Sequence, residues 1–137
     1  MAVSAPVIFL INNISTMDFV QQVHHLYNLL EAGNPVEAME LYYHEEVAMQ
    51  ENEEKPRMGK AFCIQYEKGL MAQVEDFQAR VLAQAINVEE EIVFTEMEIG
   101  FTRNAQRHLI REVSRQKWQD GQVISEKFYY KEVEVLG

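Results

Sequence analysis

The sequence predicts an α+β fold in which three helices come first and a meander of strands follows. Three observations predict it. Apolar residues recur at three-to-four spacing from Met17 to about Met71, the period drops to two from Asp76 onward, and four strand-like runs fill almost everything after that point. The change of regime is prepared in AGNPVEAMELYYHEEVAMQENEEKPRMGKAF, residues 32–62. That stretch ends one helix, spans a second, crosses a short strand and a charged loop, and starts a third helix.

Phe19, Val23, Leu26 and Leu30, widened by Val20 and Tyr27, make residues 17–32 an amphipathic helix that Gly33 ends. Asn34 can cap a second helix over 35–43, with Pro35 in its first turn and Glu37 at the reciprocal capping position. The two helices should form a hairpin. Residues 46–50 alternate, with Val47 and Met49 apolar, and read as a strand; residues 51–57 read as a charged loop closed by Pro56. Gly59 opens the third helix, whose Phe62, Tyr66 and Leu70, with Cys63 and Ile64, should meet the sheet. Strands are expected at about 77–86, 91–101, 107–118 and 122–131, paired in sequence. A three-residue loop with Gly121 in the left-handed position would place Trp118 opposite Gln122. That register sets Ser114 against Glu126, Glu112 against Phe128 and Ile110 against Tyr130.

Ahead of these elements, Pro6-Val7-Ile8-Phe9-Leu10-Ile11 is apolar, too short to span a membrane, and without the basic flank of a signal peptide. Residues 1–16 are either an upstream extension before a start at Met17, or an arm packing on a neighbour; Ser15 followed by Asp18 resembles a capping box. Residues 17–137 are expected to form one domain, a size that buries a core without staples.

Composition excludes several function classes. Twenty-two acidic against twelve basic residues give a net charge of −10, which repels the phosphates of nucleic acid and of anionic membranes. The single cysteine, Cys63, has no internal disulfide partner, and a reducing, cytoplasmic setting fits. No Gly-rich phosphate loop, nucleophile elbow, CxxC or Walker motif is present, so no cofactor is expected. His24-His25 and His44-Glu45-Glu46 lack ligand spacing, so no metal site is expected either.

The segments LEAGNPVEAMELYYHEEVAMQ and PRMGKAF, and the closing W-x-D-G-x-V-x-x-x-x-Y hairpin, resemble the SnoaL-like branch of the nuclear transport factor 2-like superfamily. Ketosteroid isomerase and limonene-epoxide hydrolase belong to the same superfamily. The resemblance covers roughly residues 17–132 and implies a cone-shaped barrel, with three N-terminal helices packed on a curved, mostly antiparallel sheet and a pocket at the wide end. It also implies a homodimer through the outer sheet face. A general-base carboxylate at the end of the first strand falls on Glu51. The tyrosine donor of the isomerase falls on Leu26, one residue from Tyr27, and its protonated aspartate falls on Ser114. Both isomerase donors are thus replaced, and the Asp, Arg, Asp relay of the epoxide hydrolase finds no counterpart.

The same resemblance turns the even-numbered strand positions inward. The expected pocket comprises Tyr27, Phe94, Glu96, Ile110, Glu112, Ser114, Glu126, Phe128 and Tyr130, with Ile92, Glu98 and His108 on the same side. If the loop of residues 102–106 pairs Phe101 with Arg107, Glu96 faces Glu112 across neighbouring strands, and close carboxylates raise each other's pKa. The odd face, with Val93, Met97, Leu109, Val113 and Tyr129, would be the dimer surface. Two functions fit. One is a binding domain whose apolar pocket holds a small apolar or partly polar ligand; the other is a cofactor-free acid/base enzyme, of isomerase, cyclase, dehydratase or hydrolase type, with Glu51 as the catalytic general base.

Overall fold

In the computed structural model, which describes residues 17–131 and 134–136, a reciprocal capping box opens the first helix. Asp18 Oδ1 accepts from Gln21 N at 2.8 Å, and Asp18 N donates to Gln21 Oε1 at 3.0 Å. Helix α1 (Phe19–Glu31) follows and buries Val23, Leu26 and Tyr27. Ser15, the apolar stretch 6–11 and the question of extension or arm lie outside the described residues. Gly33, at φ 87°, takes the left-handed position that ends α1, and Asn34 N closes back on Leu29 O at 2.8 Å. Helix α2 (Pro35–Tyr42) starts without the expected help, since Asn34 makes no side-chain cap bond. Pro35 presets the first turn instead.

The chain passes directly from α2 into β1 (Tyr43–Glu51), then through β2 (Arg57–Met58) into α3 (Lys60–Met71). Here the structure corrects the expected face of α3. Phe62, Tyr66 and Leu70 are exposed, Phe62 by 57%, while Cys63 is buried. Glu67, one turn after Cys63, follows it on the same inward side. Phe62 thus lies outside, Tyr66 and Leu70 border the cavity while half-exposed, and an acid is carried in beside them.

Strands β3 (Glu75–Asn87), β4 (Ile92–Arg103), β5 (Gln106–Gln119), β6 (Gln122–Tyr129) and β7 (Glu134–Leu136) complete the described elements. The sheet runs β2-β1-β6-β5-β4-β3, with β7 beside β5; β1 and β6 are parallel and the other pairs antiparallel. With three helices against this curved sheet, the architecture is the expected α+β cone. Its core centres on Trp118, with Leu26, Tyr42, Val47, Val93 and Val123 fully enclosed, and Phe19 meets the indole edge-on at 5.5 Å.

Both long hairpins turn more tightly than expected. Asn104 and Ala105, at φ 52° and 63°, form a two-residue loop that pairs Arg103 with Gln106 and Phe101 with His108. Relative to the expected pairing of Phe101 with Arg107, β4 is displaced by one residue, and the period of two turns every β4 side chain to the other face. Asp120 and Gly121, at φ 52° and 76°, form a second two-residue loop. An irregularity between Val123 and Ser125 then adds a residue, so Ser114 faces Phe128 and Gln116 faces Glu126. The register is two residues from the expected one, which leaves the inward set of β5 and β6 unchanged. No helix among the described residues is long and apolar enough to cross a membrane.

Candidate functional site

A cavity of about 310 Å³ opens between the inner sheet face and the three helices. Tyr27 reaches it from α1, Glu51 from the end of β1, and Ile110, Glu112 and Ser114 from β5. Glu126 and Phe128 reach it from β6, and Tyr130 from just beyond. Phe94 and Glu96 do not. The one-residue displacement of β4 sends both outward, leaves Glu96 opposite Val113 rather than Glu112, and puts Val93, Thr95, Met97 and Phe101 inside. Glu98 likewise lies outside, bonded to Arg80 and Arg111 at 3.0 and 3.1 Å.

Glu51 is held at both carboxylate oxygens. Arg57 Nη2 donates to Oε2 at 3.0 Å and the Tyr130 hydroxyl donates to Oε1 at 3.0 Å. Tyr130 is itself anchored, because its N–H donates to Asn52 Oδ1, and Asn52 N donates to Phe128 O. Burial, then the Glu51 charge and hydrogen bond, raise the Tyr130 hydroxyl pKa. The Arg57 guanidinium lies 4.1 Å over the Tyr66 ring, so one face is packed on an aromatic while an edge holds the carboxylate. Its Nε is buried without a partner among the described residues. Burial raises the pKa of Glu67 nearby, with Arg57 opposing and Glu51 adding to the rise.

Deeper in the cone, Glu126 is only 4% exposed and accepts from the Tyr43 hydroxyl and from Gln116 Nε2, the latter at 2.9 Å. Gln116 Oε1 in turn accepts from Trp118 Nε1 at 2.9 Å. This chain fixes the amide orientation and ties the acid to the central indole. Burial pushes the Glu126 pKa up to about 7 against the lowering effect of the Tyr43 and Gln116 bonds. Tyr27 and Ser114, from α1 and β5, join hydroxyls at 3.0 Å. Leu26, the position the resemblance gave to a tyrosine donor, is core, and the neighbouring Tyr27 faces the cavity.

Glu112 differs from Glu51 and Glu126. It is 8% exposed and, like Glu67, has no hydrogen bond to a described residue. Burial first, then the charges of Glu126, Glu51 and Glu67, push its pKa up to about 8. At neutral pH most of it carries a proton. The site thus presents one neutral carboxyl facing open space, a second partly protonated acid behind it, and an ion pair toward β2.

Arg57, Glu67, Tyr43 and Gln116 are site residues that the sequence reading missed. Arg57 sat in a stretch read as wet loop, and Tyr43 in one read as helix. Glu67 was passed over because the stripe beside it is more apolar. Gln116 could have been found, since it shares parity with Glu112 and Ser114 on β5. Among the described residues no three His, Cys, Asp or Glu side chains are placed to hold a metal ion. His25 bonds through Nδ1 to the Tyr42 hydroxyl at 2.5 Å, and His44 Nδ1 accepts from Glu46 N.

No protein-family model and no curated protein matches the chain. Solved structures do. A protein assigned as a SnoaL-like polyketide cyclase from Mesorhizobium loti superposes with a TM-score of 0.69 at 20% identity, covering 83% of this chain and 100% of that one. SalBIII, an epoxide hydrolase/cyclase-like enzyme with a role in forming the pyran ring of salinomycin, gives 0.73 at 13% identity, over 86% and 95% of the two chains. An NTF2-like protein of unknown function from Burkholderia pseudomallei gives 0.71 at 10% identity, over 84% and 92%. At these identities the likeness is one of fold: the chain has the α+β cone of the SnoaL-like and NTF2-like proteins.

Proposed function

We propose that the protein binds a small, largely apolar molecule in the cavity and that Glu112 is the group that recognises its polar part. The observation that carries this reading is a nine-tenths buried carboxyl on the cavity lining to which no described residue gives a hydrogen bond. Folded proteins satisfy buried polar groups almost everywhere, so an exception inside a cavity points to a partner that arrives from outside. The volume, about 310 Å³, suits a compact molecule at the small end of the range for ligand sites. Thermal unfolding in the presence of a panel of compact neutral, cationic and anionic apolar compounds tests it. At least one class should raise the midpoint in wild type and lose that effect in Glu112→Gln. No rise with any class would refute the reading.

A second reading, a cofactor-free acid/base enzyme, is favoured by the pairing of a mostly protonated Glu112 with the Glu51 carboxylate across one cavity. Two neighbours of the same fold are described as a polyketide cyclase and an epoxide hydrolase/cyclase-like enzyme. In this reading Glu112 is the general acid. Glu51 becomes the base only when a substrate displaces Arg57 or Tyr130, because both its oxygens are otherwise engaged. Turnover lost in both Glu51→Gln and Glu112→Gln, with binding kept, would establish it.

The outer sheet face is the proposed homodimer surface, in corrected form. Val93 and Met97 are inside, so the apolar residues of this face are Phe94, Leu109, Val113 and Tyr129, interspersed with Glu96, Glu98, Arg111, Arg115 and Lys127. A cytoplasmic setting belongs to the same proposal, on the strength of the single unpaired Cys63.

A further inference from the structure

We infer that the ligand carries a cationic amine, seated against Glu112 with its apolar part along the aromatic wall. This rests on the reading of the cavity as a small-molecule site and names the ligand class. Donors and acceptors of ligand and cavity must be complementary. Most of the fixed donors around the cavity are engaged: the Tyr43 hydroxyl with Glu126, the Tyr130 hydroxyl and Arg57 Nη2 with Glu51, and the Tyr27 and Ser114 hydroxyls with each other, while Arg57 Nε has no partner among the described residues and Arg103 lies over the Phe101 ring. Glu112 borders the same space with no hydrogen bond to a described residue, and as a carboxylate it only accepts. An occupant seated against that carboxylate must bring donors of its own.

Charge points the same way. Glu51 on β1, Glu67 on α3, Glu112 on β5 and Glu126 on β6 border one cavity. Of the two basic residues on its lining, Arg57 on β2 is held by Glu51, and Arg103 at the end of β4 leans over the Phe101 ring at 5.6 Å. No cation of the described residues bonds to Glu112 or Glu126. A neutral ligand leaves this mutual repulsion in place and relies on protons to relieve it, whereas an ammonium supplies the missing charge through a charge-assisted hydrogen bond. Phe77, Phe101 and Phe128 line the same space and offer ring faces that suit a cation. Metal ions are a poorer fit, because Glu126 already receives two protein donors and Glu112 stands without a companion ligand.

Calorimetric titration of the full-length protein with 2-phenylethylamine and with its neutral isostere 2-phenylethanol tests the inference. Binding of the cation requires Glu112 as carboxylate and so releases its proton. Affinity for the amine should rise as pH goes from 6 to 8.5, the heat should depend on the ionisation enthalpy of the buffer, and the alcohol should show neither effect. At pH 8 the amine should bind at least about tenfold more tightly than the alcohol. Glu112→Gln keeps the shape and removes a repelled charge, so it should fold. It should lose about tenfold in amine affinity and leave the alcohol unchanged. The alcohol binding as tightly as the amine, or amine affinity falling as pH rises, would overturn the amine while leaving the binding cavity standing. Neither compound binding, with no thermal shift from any class of apolar probe, would overturn both.

Discussion

Glu51 and Arg57 meet at 3.0 Å across the turn that joins β1 to β2, and the contact places the expected base in an ion pair rather than free in the cavity. Both side chains are largely enclosed, at 19% and 15% exposure. Arg57→Met keeps the contact with Tyr66 but strands the carboxylate. Urea unfolding should show a loss of about 2–4 kcal/mol, because removing one partner of a mostly buried pair leaves the other uncompensated. A change below about 0.5 kcal/mol would mark the pair as an ordinary surface bridge.

Glu112 should make the protein less stable as pH rises. Its pKa goes from an ordinary 4.5 to about 8 on folding, so the folded state holds a proton that the unfolded state releases between those values. The penalty is absent below about pH 4, grows between 4.5 and 8, and is complete above 8. Glu112→Gln should therefore raise the thermal midpoint by several degrees at pH 8.5, on the order of a few kcal/mol, and change it little at pH 4. An equal effect at both pH values would contradict the buried, partnerless carboxyl.

The turn that sets the facing of β4 carries a measurable strain. Ala105 sits at φ 63°, in a region that costs a residue with a Cβ about 1–2 kcal/mol and costs glycine little. Ala105→Gly should stabilise the protein by about 0.5–1 kcal/mol in chemical denaturation, after the greater entropy lost by glycine is counted. Destabilisation would place Ala105 in a different turn.

If the outer face joins two copies, light scattering should return a particle of twice the 16.0 kDa chain mass at micromolar concentration. Val113→Glu, which sets a second acid beside Glu96 and next to Tyr129 on that face, should shift it to monomer without loss of fold. A wild-type monomer would remove the proposed interface.

The order of elements was legible because it rests on period, and period survives small errors. Phe19, Val23, Leu26 and Leu30 mark α1 wherever its ends fall, and the switch to alternation after Asp76 marks the sheet. Facing was less legible because it rests on single residues. The even positions of β5 and β6 pointed inward as expected, since a two-residue register error preserves parity. Phe94 and Glu96 pointed outward because the Asn104-Ala105 turn, which lacks the usual glycine, has two residues where five were expected, and the odd difference moves the register by one. Helix α3 was half legible: Cys63 and Ile64 meet the core, Phe62 is outside, and Tyr66 and Leu70 line the cavity beside Glu67. Amphipathicity finds the face that avoids water in general, and it gives no notice of a face reserved for a polar cavity.

Carbon-13 NMR of the glutamate side-chain carboxyls reads the protonation state of Glu112 directly. In the free protein one carboxyl, assigned by its loss in Glu112→Gln, should titrate near pH 8. With saturating 2-phenylethylamine its titration should move down toward the ordinary 4.5, because the bound ammonium favours the carboxylate. A Glu112 that titrates near 4.5 in the free protein and ignores the amine would contradict a buried carboxyl awaiting a ligand.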